Sequence, residues 1–176
     1  RGRMAEAAEL AELVRFLAFG GFRLGEARNI TWADCSFAKS EITVRGDAAT
    51  GTKNSEVRKV PMIADMVALL NRLRTERPNE PEDAAVMQVK ECPKAMDRAA
   101  KLIGMVRITH HDLRHLFATR CIESGVDIPT VSRWLGHKDG GALAMKTYGH
   151  LRDEHSVNMA KKVTFGTTTA PGGPNA

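Results

Sequence analysis

Apolar residues spaced three and four apart recur along this chain, and glycine repeatedly cuts the pattern off. Gly20-Gly21 follows Leu10, Leu13, Val14 and Leu17; Gly104 follows Met96, Ala99, Ala100 and Ile103; Gly125 follows Leu113, Leu116, Phe117 and Cys121; Gly136 closes Val126 to Leu135. With 3.6 residues per turn such positions share one side of a helix, and glycine accepts the left-handed backbone that ends it. The pattern predicts short amphipathic helices around a common core. Aromatics are only 5% of the 176 residues, so that core is built mainly from Ala, Leu, Val and Met.

Helices are predicted from Met4 to Phe19, from near Leu24 through Ile30, and from Pro61 through Leu73. Further helices are predicted from Pro93 through Ile103, from Asp112 to Ser124, and over the short segment before Gly136. Proline is tolerated in a first helical turn because its missing N–H has no intrahelical partner there, so Pro61 and Pro93 read as helix starts. Beyond Gly140-Gly141 the pattern resumes through Leu143, Met145 and Tyr148, and a last helix is predicted from Asp153 to Val163. Ile42 to Arg45 and Glu56 to Pro61 instead alternate apolar with polar. The turn-rich stretch between them holds Gly46, Asp47, Gly51 and Asn54, which suits a hairpin or the last strands of a small sheet. The predicted class is mainly α with a small antiparallel β-sheet, in one domain over 1–163. Pro78 to Asp83 reads as an acidic link, and Thr164 to Ala176 as a disordered tail.

The formal net charge of +5 favours a polyanionic partner such as nucleic acid. Cys35, Cys92 and Cys121 are odd in number, widely separated and without a Cys-x-x-Cys pair, which argues against a disulfide framework and a zinc site. No apolar run approaches twenty residues and no signal peptide is evident, so the expected location is cytoplasmic and away from membranes. The chain begins with Arg1, which reads as a fragment of something longer.

Two clusters carry the chemistry: Thr109-His110-His111-Asp112-Leu113-Arg114-His115, and Trp134-Leu135-Gly136-His137. Downstream lies Tyr148, the sole tyrosine. On a helix, residues three apart lie close enough for His111 and Arg114 to reach one small anion. Arginine offers a permanently charged planar fork suited to phosphate oxygens, and imidazole exchanges protons near neutral pH. The helix before Gly125 and the segment after it also resemble a helix-turn-helix, which keeps open a DNA-binding regulator without chemistry.

Taken in order, Gly21-Phe22-Arg23-Leu24-Gly25-Glu26, Thr52-Lys53, His111-Asp112-Leu113-Arg114-His115, Leu135-Gly136-His137 and Tyr148-Gly149-His150 resemble the catalytic domain of tyrosine recombinases, the phage integrase family. The resemblance runs from Met4 to about Lys162. It implies a mostly helical domain that cuts and rejoins double-stranded DNA through a covalent 3′-phosphotyrosine, with self-association on DNA as a tetramer. It also implies an N-terminal DNA-clamping domain, to which nothing in this chain corresponds. The matching positions are Arg23, Lys53, His111, Arg114, His137 and the nucleophile Tyr148, with Glu26, Asp112 and His115 in support. The segment from Lys138 to Thr147 is slightly longer than the commonest family spacing.

The chemistry makes matching demands. A phenol with an unperturbed pKa near 10 must lose its proton to attack a phosphodiester, and negative charge grows on the non-bridging oxygens. Two arginines could neutralise that charge as magnesium does in other phosphoryl transfers, so neither metal nor cofactor is expected. A DNA-relaxing enzyme of the type IB topoisomerase kind would share this chemistry without pairing recombination sites.

Overall fold

The computed structural model of the chain describes residues 2–46, 57–137 and 142–149, with the backbone alone for 2–6, 143, 144 and 148. Helix α1 (Gly2–Gly20) leads through a tight turn into α2 (Leu24–Ala27), a 3-10 turn (Trp32–Asp34) and strands β1 (Cys35–Ser36), β2 (Glu41–Val44) and β3 (Arg58–Pro61). Then follow α3 (Ala64–Glu76), α4 (Pro93–Leu102), α5 (His110–Glu123), α6 (Ile128–Leu135) and α7 (Ala142–Tyr148). The strands form an antiparallel sheet in the order β1-β2-β3, with Ile42 opposite Val60 and Val44 opposite Arg58. This is the mainly helical class with a small sheet that the patterning predicts. The predicted helix Asp153 to Val163, the Gly140-Gly141 turn and the tail from Thr164 lie outside the described residues.

Helix α1 packs on α5 and α3, and the sheet meets α6 through β3. Leu13, Phe16 and Leu17 of α1 are fully buried, with Leu70 of α3, Phe117 and Ile122 of α5, and Val131 and Leu135 of α6. At the periphery, Arg72 of α3 donates to Glu12 of α1 (2.5 Å) and to Glu76 (2.9 Å), linking the two helices.

Several boundaries differ from the sequence pattern for physical reasons. Pro61 ends β3 rather than opening a helix; α3 starts at Ala64, after an extended Ile63. The second helix stops at Ala27, yet Ile30 is still buried. On α4, Met96 and Ala100 face inward while Ala99 is exposed, as is Ile103 beyond the helix end at Leu102. On α5, Leu116 is 46% exposed and the inward face instead takes Arg114 and Ala118. An arginine displaces a leucine from the interior there because its guanidinium finds carbonyl partners, as described below.

Between α1 and α2, Gly21 has φ +62°, and a Cβ on it would lie 2.4 Å from Cδ1 of Phe117 and 3.0 Å from Leu135. The turn is pressed against α5 and α6 at the one residue type that fits. Gly21→Ala is expected to destabilise the fold by about 2–4 kcal/mol, combining left-handed strain with overpacking. Urea unfolding reads this as a lower midpoint at unchanged slope, and an unchanged midpoint would contradict the tight packing of this turn.

Candidate functional site

Arg23 is the N-cap of α2, held extended at φ −70° and ψ 149°. Glu26, one turn on, reaches back: the Arg23 backbone N–H donates to its Oε2 (2.8 Å) and Arg23 Nη1 donates to its Oε1 (3.0 Å). A carboxylate at this position satisfies an orphan donor and complements the positive end of the helix. The Arg23 side chain is 53% exposed while that of Glu26 is 4% exposed, so the carboxylate is an internal anchor for an outward-facing cation.

The same carboxylate is gripped from the opposite side by Arg58 of β3, whose Nη1 and Nη2 donate to Oε1 and Oε2 at 2.8 and 2.7 Å. Arg58 Nε donates to the Trp134 carbonyl at 2.7 Å. Burial pushes the Glu26 carboxyl up, but the hydrogen bonds and charge of Arg58, and then those of Arg23, outweigh it and hold it below the ordinary value of 4.5. A folded pKa below the unfolded one stabilises the fold at neutral pH. That contribution is full above the unfolded pKa and is lost as pH falls through the folded one. Urea midpoints should therefore drop on acidification below about pH 4.5, and Glu26→Gln should flatten part of that dependence. A pH profile identical to that of the wild type would contradict the assignment.

Helix α5 begins with a reciprocal cap. Thr109 N–H and Oγ1 both donate to Asp112 Oδ2 at 2.7 Å, and Asp112 N–H donates to Thr109 Oγ1 at 3.3 Å. This is the Ser/Thr-x-x-acid arrangement that fixes a helix start, and it gives Asp112 a definite local task. His111 is exposed, and its ring meets that of His115 edge-on at 4.5 Å. Burial lowers the His115 pKa, His111 and Arg114 lower it further, and Asp112 opposes them. His110 points the other way: its Nε2 lies 3.4 Å from both the buried Cys92 thiol and the Cys92 backbone N–H. That contact ties α5 to the start of α4.

Arg114 is 4% exposed. Its Nη1 donates to the Gly21 carbonyl at 2.7 Å, and its Nη2 donates to the Leu135 carbonyl. One side chain thus ties the turn before Arg23 to the turn before His137. The last carbonyls of α6 lack intrahelical donors. Two arginines supply them, Arg58 at Trp134 and Arg114 at Leu135. Cations at a helix C-terminus are also favoured by its partial negative charge. Gly136 then caps α6 in the left-handed conformation at φ 69°, and His137 follows with its N–H on the Ser132 carbonyl at 3.0 Å.

Arg23 with Glu26, Arg58, Arg114 and the His137 turn are therefore joined in one bonded network drawn from four segments distant in sequence. His111 and His115 stand on the first turns of the helix that carries Arg114. Tyr148 is the last residue of α7, which packs on α6. Lys53 lies outside the described residues. Sequence patterning misses Arg58. A signal was present: in a two-residue strand repeat Arg58 shares the face of Val60, which is 1% exposed, so the register that turns Val60 inward turns Arg58 inward too.

Residues 3–155 match the model of the phage integrase family. The tyrosine recombinase XerA of Pyrococcus horikoshii is 33% identical over 164 residues, covering 86% of this chain and 55% of that protein. A putative integrase/recombinase of Sinorhizobium fredii is 32% identical over 151 residues, covering 71% and 46%. The chain spans about half the length of the curated relatives it matches. A crystal structure of XerA recombinase superposes with a TM-score of 0.61 at 25% identity, covering 88% of this chain and 62% of that one. The Tn1549 transposon integrase, solved with a circular intermediate DNA, shares the fold with a TM-score of 0.66 at 19% identity, covering 86% and 58%. No helix among the described residues is long and apolar enough to cross a membrane.

Proposed function

Because the chain belongs to the phage integrase family, we propose that it is the catalytic domain of a site-specific recombinase that breaks and rejoins double-stranded DNA through Tyr148. The observation that carries this reading is the placement of Arg114, hydrogen-bonded at once to the turn preceding Arg23 and the turn preceding His137. A phosphate bound there would meet donors from several segments whose relative positions are already held. The family match does not favour a regulator without chemistry.

In the proposed reaction the Tyr148 oxygen attacks phosphorus and forms a P–O bond to the enzyme while the bond to the 5′-oxygen breaks. Arg23 and Arg114 neutralise the charge that grows on the non-bridging oxygens, where preorganised donors act most strongly in a water-poor site. His111 accepts the phenol proton or donates to the phosphate, His137 is a second donor, and Lys53 protonates the leaving 5′-oxygen. The phosphotyrosine conserves the energy of the broken diester, so attack by a 5′-hydroxyl restores DNA without ATP. Glu26, Asp112 and His115 act by holding these groups. The substrate is duplex DNA, reached by the net positive charge, with protomers associating on it in the nucleoid.

The test is a duplex nicked near the cleavage position, so that the leaving fragment diffuses away. Incubated without added metal, it should yield a denaturant-resistant adduct bearing the DNA 3′-phosphate. A linkage to the 5′-phosphate, or an adduct retained after loss of Tyr148, would overturn the reading.

A further inference from the structure

We infer that Arg58 is a positioning residue for the strand transfer proposed above, setting where Arg23 and the Gly136-His137 turn stand relative to each other. The inference rests on that functional reading and adds a residue the resemblance does not supply.

Its basis is the way one guanidinium is used. Arg58 makes three hydrogen bonds, all between 2.7 and 2.8 Å, to two elements that are 32 and 76 residues away in sequence. Each oxygen of Glu26 receives one bond from Arg58 and one from Arg23. A planar fork fixes the plane of the carboxylate it grips, and that carboxylate fixes the cap from which Arg23 projects. At the other end, Nε holds the Trp134 carbonyl, and the Gly136 turn lies directly on the side chain. A Cβ at Gly136 would come 3.1 Å from Arg58 Cδ and Nη1. The residue is anchored in turn by the sheet, where it sits opposite the buried Val44. With a side-chain exposure of 12%, it is placed to organise groups that meet DNA rather than to meet DNA itself.

Lysine is the informative replacement, because it keeps the charge but offers one ammonium in place of a fork and cannot serve both elements. In Arg58→Lys, single-turnover cleavage of the nicked duplex at saturating DNA should fall about 10²-fold, the cost of an ångström-scale misplacement. The DNA dissociation constant should change less than about threefold, since the interior charge is retained. Imidazole NMR signals of His137 should shift, while those of His110, held by Cys92, should not. A folded Arg58→Lys protein with cleavage within about twofold of wild type and His137 signals in place overturns the inference. If Arg58→Lys melts, the double variant Glu26→Gln/Arg58→Gln leaves no unpaired buried charge and carries the same comparison. If the wild type forms no Tyr148-dependent adduct, strand transfer fails on its own. The His137 signals then decide separately, and unmoved signals overturn the role given to Arg58.

Discussion

Tyr148→Phe is expected to abolish the covalent protein-DNA adduct while leaving the fold and DNA affinity nearly unchanged. Phenylalanine keeps the ring and removes only the hydroxyl, and no other tyrosine exists in the chain to take its place. Loss of an enzyme's nucleophile costs on the order of 10⁴–10⁶ in rate, which here means adduct below detection on a denaturing gel. Binding to intact duplex should survive because it rests on phosphate contacts by cations rather than on the phenol. Tyr148 closes α7, and the exchange removes one oxygen while keeping the helix end and the bulk of the ring. Thermal unfolding should move by no more than about 1.5 kcal/mol, the scale of a single hydrogen bond. An adduct that persists in this variant would require a different nucleophile and remove the central residue of the proposal.

Arg114→Ala combines two large effects that can be separated experimentally. Removing a buried guanidinium strands the Gly21 and Leu135 carbonyls and leaves a void, with an expected loss of about 3–5 kcal/mol in stability. In the proposed reaction, removing the charge that neutralises the transition state costs a further 3–4 kcal/mol or so, about 10²–10³ in cleavage rate. Arg114→Lys divides the two. A lysine that restores much of the urea midpoint while cleavage stays at least about tenfold down would assign the planar fork to chemistry as well as to folding. Near-normal cleavage by a folded Arg114→Ala protein would leave this arginine with the folding role alone.

Much of the architecture was legible because helices and strands carry different periods. The stripes on α1, α3 and α5, the proline start of α4 and the glycine end of α6 all follow from local spacing and local backbone chemistry. Leu116 and Arg114 show the limit of that reading. Helical spacing marks both as near the boundary of the buried face, and only carbonyls supplied by segments 93 and 21 residues away decide that the arginine goes in. Similarly, Pro61 has the chemistry of either a strand end or a helix start, and pairing with Glu41 settles it as a strand. The candidate site was legible by residue type at Arg23, Glu26, Arg114 and His137. What joins them was not, because Arg58 matches no motif and its partners are chosen by tertiary contact.

The anchoring of α6 by two guanidiniums has a consequence for the order of events. Cations that must crowd around a phosphate repel one another, and in many binding sites the ligand has to overcome that repulsion on arrival. Here Glu26 and the helix-end carbonyls offset part of it during folding, so DNA bound as proposed would meet cations already held in place. Ionic strength should then govern how often duplex arrives far more than how fast the docked strand is cut.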